Sequence, residues 1–186
     1  MVLFADDSTA IIKCTDINLY ENKINYTLEE IMTWLNNNNL IANLNKTKII
    51  QFHQRKINCD LNIEYNGIKI EEVQETKFLG LIMDSNLSWK GHAKEVCERL
   101  SKYAYLLHKL SKIVCLDTAL NAYHGFVSSN IRYGIIFWGN CTDKDVVFRA
   151  QKRCVRAMCG LKTTDSCAPH FKRLNLLTMP SIYIYI

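Results

Sequence analysis

The chain opens with two short apolar runs, Met1-Val2-Leu3-Phe4-Ala5 and Ser8-Thr9-Ala10-Ile11-Ile12-Lys13, on either side of Asp6-Asp7. This pattern predicts a β-hairpin with carboxylates at its tip. Ile24, Leu28, Ile31 and Leu35 then recur at intervals of four, three and four, the stripe of an amphipathic helix with Asp16 or Asn18 as its cap. The Asn run at 36–39 should end that helix, because Asn tolerates left-handed backbone and bonds its own neighbouring main chain. Strand-like segments follow at 48–52, 61–65 and 68–70, the last two separated by Asn66-Gly67, a strong hairpin signal. A further strand is expected over 77–83, and there is no internal repeat.

From Trp89 the period becomes helical. Ala93, Val96, Cys97, Leu100, Ala104 and Leu107 form one stripe, with Lys94, Lys102, Lys109 and Lys112 away from it. A second helical stretch is expected from Asp117, as N-cap, through Tyr123 and Phe126 toward Tyr133. The third runs from about 143 to 158. At about 100° per residue, Arg149, Lys152, Arg153 and Arg156 stand at i, i+3, i+4 and i+7 on one face, while Val147, Ala150, Cys154 and Met158 fall on the other. One side packs and the other presents four cations. The expected fold class is therefore α+β, with strands and one helix over 1–88 and an all-α region over 89–186.

Charge follows the same division. Residues 1–88 carry eight Lys/Arg against twelve Asp/Glu, and residues 89–186 carry fifteen against six, giving the net +5 of the chain. Four like charges on one helix face repel one another by a few tenths of a kcal/mol per pair, and an anion would relieve that. A phosphate backbone suits the role, because neutralising its phosphates releases condensed counterions. A solvated face, or one paired with an acidic protein partner, is the plainer alternative.

With 186 residues, 48% hydrophobic and 22% charged, and only 7 Gly and 2 Pro, the composition excludes disorder and collagen-like repeats and allows one domain or two small ones. No apolar run approaches the roughly 20 residues of a membrane helix, and Asp6-Asp7 interrupts any signal-peptide reading of the start. The expectation is a soluble intracellular protein, nuclear or cytoplasmic, with no membrane partner. The eight cysteines are scattered at irregular intervals and read as reduced thiols. Cys154, Cys159, Cys167 and His170 come nearest to zinc-ligand spacing, but there is no C-x-x-C and Cys154 reads better as a buried helix position.

Paired carboxylates at a rigid hairpin tip suit Mg²⁺, which takes hard oxygen ligands together with substrate phosphates. Asp is also a common turn residue for purely local reasons. Phe4-Ala5-Asp6-Asp7 within a strand-turn-strand, followed by a helix, resembles the metal-binding hairpin in the palm of reverse transcriptases. Asn39-Leu40-Ile41-Ala42-Asn43-Leu44-Asn45-Lys46-Thr47 is similar to the N-x-x-x-N-x-x-K-T block of the retrotransposon enzymes, and Phe78-Leu79-Gly80 to the strand of their primer-grip hairpin. Leu87-Ser88-Trp89 with His92, Tyr133-Gly134 with Trp138, and Cys167-Ala168-Pro169-His170-Phe171 with Leu176-Leu177 resemble the thumb and C-terminal extension of non-LTR retrotransposons, especially the jockey-like insect group.

That resemblance implies a partial reverse transcriptase palm over 1–88 and a thumb with C-terminal helical extension over 89–186. Asp6 and Asp7 would be metal-ligating aspartates of an RNA-directed DNA polymerase, with Mg²⁺ as cofactor, an RNA template, a DNA primer and dNTP as partners, and two-metal phosphoryl transfer as the chemistry. Lys46 would assist the departing pyrophosphate. Phe78, Leu79 and Gly80 would seat the primer end, and Arg149, Lys152, Arg153 and Arg156 would grip nucleic acid. The family also uses fingers and an aspartate on an earlier palm strand, and these 186 residues carry no counterpart of either. The expectation is a polymerase fragment that is inactive alone and needs an N-terminal polymerase half. The competing expectation is a non-catalytic nucleic-acid-binding module that uses only its basic helical face. The tail Ile182-Tyr183-Ile184-Tyr185-Ile186 reads as β-prone and aggregation-prone.

Overall fold

Strands β1 (Val2–Phe4) and β2 (Asp7–Thr9) pair antiparallel, with Phe4 opposite Asp7 and Val2 opposite Thr9. The computed structural model describes residues 2–5, 7–14, 16, 19–52 and 61–186. The predicted hairpin is present, but the turn begins at Ala5, whose φ is 52°, and Asp7 is the first residue of β2 rather than a tip residue. Pairing Phe4 with Asp7 leaves only two residues for the connection, and this fixes the register. Val2, Leu3 and Phe4 are all exposed.

Helix α1 (Tyr20–Asn37) buries Ile24, Met32 and Leu35. Leu19 occupies its cap position with no side-chain cap bond, in place of the expected Asp16 or Asn18 cap; Asn18 lies outside the described residues. The C-terminus follows the Asn reading closely. Asn39 takes φ 56°, its N–H donates to the Asn36 carbonyl, and the Leu40 N–H donates to the Leu35 carbonyl. This is a Schellman closure with Asn where Gly is usual.

The remaining strands of this part are short: β3 (Lys48–Ile49), β4 (Glu64–Tyr65), β5 (Ile68–Lys69) and β6 (Glu71–Glu72). β4 and β5 form the predicted hairpin through Asn66 (φ 51°) and Gly67 (φ 75°), both left-handed as a type I′ turn requires. β3 pairs parallel with β6, a long-range match that no local pattern announces. Ile24, Leu61, Ile63 and Ile70 make the small core.

Residues 75–186 form the second compact unit, and the first ends at Gln74 rather than at 88 as expected. The boundary moves because the expected strand over 77–83 is in fact a hairpin, β7 (Glu75–Phe78) and β8 (Leu81–Asp84), and β8 packs on helix α2 (Lys90–Leu110). The charge division survives the move: the first unit carries seven Lys/Arg against ten Asp/Glu, and the second sixteen against eight.

Helix α3 (Leu116–Ala122) leads into a π-helical segment, Tyr123–Ser128, and then α4 (Ser129–Arg132) and α5 (Ile135–Trp138). Cys115, not Asp117, takes the α3 cap position, and Asp117 lies in the first turn. Helix α6 (Lys144–Cys159) packs along α2, and α7 (Ala168–Arg173) and α8 (Met179–Tyr185) pack on α6. Val96, Leu100, Val127, Trp138, Val147, Cys154 and Met179 are among the core residues. Cys154 is fully buried and its thiol donates to the Leu100 carbonyl at 3.2 Å.

The fully buried Gln151 ties the C-terminal segment to this core. Its amide donates to the Tyr123 hydroxyl and the Leu177 carbonyl, both at 2.9 Å, and its oxygen accepts the Met179 N–H at 2.7 Å. The tail expected to be β-prone is helical instead. Thr178 accepts the Ser181 N–H at the start of α8, a proline stands in its first turn, and Met179 and Ile182 are buried. A short apolar run fits strand or helix equally, and here capping and burial decide. No helix among the described residues is long and apolar enough to cross a membrane.

Candidate functional site

The hairpin that contains Phe78-Leu79-Gly80 turns on Leu79 (φ 45°) and Gly80 (φ 79°). These are nearly the dihedrals of Asn66-Gly67, with Leu where Asn is favoured. A left-handed Leu costs about 1–2 kcal/mol, so something must hold it. The Tyr133 hydroxyl donates to the Leu79 carbonyl, and the Tyr133 ring lies so near Gly80 that an added Cβ would meet it at 3.3 Å. Next to it, Gly134 (φ 60°) faces Leu81, whose methyls would lie 2.8 and 2.9 Å from an added Cβ.

The same corner gathers several other motif residues of this unit. The Trp138 indole N–H donates to the Tyr133 carbonyl at 2.9 Å, and the His92 ring meets the Trp138 ring edge-on with centroids 5.5 Å apart. The Ile82 N–H donates to His92 Nδ1 at 3.3 Å. Burial pushes its pKa down, reinforced by the Arg99 and Lys77 charges and opposed by Glu95. Trp89 stacks on Phe137 with ring centroids 6.2 Å apart. Phe78-Leu79-Gly80, Trp89 with His92, and Tyr133-Gly134 with Trp138 are thus one packed structure.

Sequence reasoning missed the residue that shapes the loop between them. The Asp84 carboxylate accepts the N–H groups of Asn86, Ser88 and Trp89 at 3.1, 3.0 and 2.8 Å and the Ser88 hydroxyl at 3.1 Å. Burial by itself would raise its pKa, but these donors outweigh burial and hold the carboxyl below its usual range. Leu87 (φ 52°) and Trp89 (φ 61°) are both left-handed. Their strain is of the order of 1–2 kcal/mol each, and hydrogen bonds to a charged acceptor, about 1.5–3 kcal/mol each, offset it. The carboxylate also sits at the positive end of α2.

Asp84→Ala is therefore expected to destabilise the second unit by about 2–3 kcal/mol. Asp84→Asn should be nearly as harmful, because an amide NH₂ would face a backbone donor. Denaturant unfolding followed by helical circular dichroism checks both, and a wild-type midpoint for either would refute this account.

The four cations of α6 differ in their surroundings. Lys152 and Arg156 line a cleft of about 590 Å³ with Phe148, Phe171, Lys172 and Ser181. Burial pushes the Cys167 thiol up, and Arg156 and Lys152 pull it back; burial pushes the Cys97 thiol up, and Arg153 and Arg149 pull it back. The face spans an arc of about 100°, so its two edges meet different neighbours. Arg149 and Arg153 are exposed, whereas Lys152 and Arg156 are half-buried. The Arg156 Nε donates to the Asp165 carbonyl at 3.0 Å.

In the first unit Asp7 is exposed on β2, and Asp6 lies outside the described residues. Lys46 is exposed in the turn after α1, where its N–H donates to the Asn43 carbonyl at 3.0 Å. The hard oxygen of Asp7 suits Mg²⁺. Among the described residues, no three His, Cys, Asp or Glu side chains gather to hold a metal ion.

The chain is 23% identical over 140 residues to the RNA-directed DNA polymerase from mobile element jockey of Drosophila melanogaster, and 25% identical over 140 residues to that of Drosophila funebris. Each match covers 73% of this chain and 15% of the polymerase, so the chain spans only a small part of the relatives it matches. No protein-family profile and no solved structure matches it. The chain is thus a relative of the RNA-directed DNA polymerases of jockey-like mobile elements.

Proposed function

We propose that these 186 residues are the part of a jockey-like reverse transcriptase that runs from the acidic palm hairpin through the thumb and C-terminal extension, and that their task is to hold a primer–template. The observation that carries this reading is the corner of the second unit. Motif residues from 78 to 138, far apart in sequence, meet there through Tyr133, His92 and Trp138 around a strained turn. A backbone outlier held by surrounding structure is characteristic of ligand-contacting sites. In this reading the Phe78-Leu79-Gly80 turn seats the primer 3′ end, α6 contacts the nucleic-acid backbone, and Lys46 assists pyrophosphate departure.

Asp6 and Asp7 supply two of the carboxylates for magnesium in the intact enzyme, where the metal pair would activate the primer hydroxyl and steady the triphosphate. A further carboxylate has to come from outside these residues. Primer extension with Mg²⁺, dNTP and an RNA template tests this. The expected result is no extension by the 186-residue chain alone, and extension once a polymerase N-terminal half is supplied, lost again in Asp7→Asn. Extension by the chain alone would overturn its dependence on a partner, and failure of the reconstituted pair, with both halves folded, would overturn the polymerase reading.

One observation favours the second reading, a non-catalytic nucleic-acid-binding module. Positive charge is concentrated in the better-cored unit, whereas the acidic hairpin stands exposed. Primer–template binding without extension in the reconstituted pair would select it.

A further inference from the structure

The cleft beside α6 has a lining unlike the rest of the cationic surface. One wall is apolar, the partly exposed Phe148 ring backed by the buried Phe171 and Leu176, with the two phenyl centroids 6.3 Å apart and the rings inclined at 58°. The rim carries Lys152, Arg156 and Lys172, and among the described residues no carboxylate side chain lines the space. Lys152 lies over the Phe148 ring with Nζ 4.5 Å from its centroid, so an ammonium is held directly beside aromatic surface. Its volume of about 590 Å³ is that of a small-molecule site rather than a duplex groove.

Lys152, Arg156 and Lys172 form no ion pair among the described residues, the nearby Asp165 carboxylate accepting the Lys162 N–H instead, so the rim favours an anion, and the aromatic ring favours a flat apolar group on the same ligand. A nucleotide has both: a phosphate for the rim and a base for the wall. The cations do not stop at the rim, because Arg149 and Arg153 continue along the exposed surface of α6. The anion is therefore extended, as a polynucleotide strand is and a free nucleotide is not.

We propose that this cleft binds an unpaired nucleotide of a single strand, its base against Phe148 and its phosphate at Lys152, Arg156 and Lys172. The inference rests on the nucleic-acid part of the function proposed above and adds to it a second binding mode, for single strands, on the far edge of the cationic helix face from Arg149 and Arg153.

The test is fluorescence anisotropy of the full 186-residue chain with three probes of equal phosphate number: an oligouridylate, an abasic strand and a primer–template duplex. Phe148→Leu keeps the apolar volume and removes the aromatic face. It is expected to weaken oligouridylate binding about fivefold while leaving the abasic strand and the duplex unchanged, since one base–aromatic stack contributes about that much or more. The double variant K152A/K172A should weaken both single strands and flatten their salt dependence, while Lys90→Ala, outside the cleft, should do neither. Thermal melts of each variant establish that it is folded; should Phe148→Leu fail to fold, Phe148→Tyr, which keeps an aromatic face, must retain oligouridylate binding while K152A/K172A loses it.

Equal binding of oligouridylate by wild type and Phe148→Leu, with duplex binding intact, overturns the cleft and leaves the polymerase reading standing. Displacement of the strand by free uridine monophosphate at equal concentration, or by a polyglutamate peptide, overturns the assignment to a strand. A chain that binds none of the three probes overturns both.

Discussion

Replacing Arg149, Lys152, Arg153 and Arg156 together by alanine is expected to flatten the salt dependence of duplex binding, lowering the log–log slope by about 2 through the loss of Arg149 and Arg153, because each phosphate neutralised contributes about 0.9. The variant should still fold. Alanine is the best helix former, and removing like charges relieves repulsion along the face. The buried side of α6, with Val147, Ala150, Cys154 and Met158, is untouched. The structure loses the Arg156 bond to the Asp165 carbonyl and the Lys152 contact with Phe148, both at the surface.

Dividing the set is more informative. If the two edges of the helix meet different parts of the ligand, R149A/R153A should take most of its effect on duplex and K152A/R156A on single strands. Titrations at several salt concentrations supply both slopes, and an unchanged slope in the fourfold variant would remove α6 from the interface.

Replacing Trp138 by alanine should destabilise the second unit by about 3–5 kcal/mol, the range for removing a large aromatic from a core. Trp138 is fully buried, its ring meets His92, and its indole N–H satisfies the Tyr133 carbonyl. The loss therefore combines a cavity with an unpaired acceptor. Trp138→Phe refills most of the space but still leaves the carbonyl without its donor, at about 1–3 kcal/mol for that group. Tyr133 is also what holds Leu79 in its left-handed turn, so the Trp138 variants should loosen the hairpin tip 59 residues away in sequence. Urea unfolding measures the first effect. Amide exchange at Leu79 and Gly80 measures the second, and unaltered protection there would break the proposed link.

Two turns show how far local chemistry reached. Asn66-Gly67 announces a type I′ hairpin by itself, because both residues tolerate positive φ. Leu79-Gly80 makes the same turn without the signal, so 77–83 reads as one strand; the turn exists because the Tyr133 hydroxyl and ring secure it. The end of α1 was legible through Asn39 for the same local reason that the apolar tail was not: Asn has a distinct backbone preference, whereas isoleucines and tyrosines fit a strand or a helix. Asp84 and Gln151 gave no readable signal, since a carboxylate or an amide declares its partners only when a distant chain supplies them.

The helical stripes, the Asn-Gly hairpin, the cationic periodicity of α6 and the likeness to jockey-like polymerases could all be read from the order of residues. These are properties of neighbouring residues, or of motif order, and both are written along the chain. The tertiary structure alone decided that the first unit ends at Gln74, that the Phe78-Leu79-Gly80 turn locks onto Tyr133, and that four cations on one helix face divide between a cleft and an open surface. Each depends on which segments fold against one another, and that is set by long-range packing and buried hydrogen bonds that no local window contains.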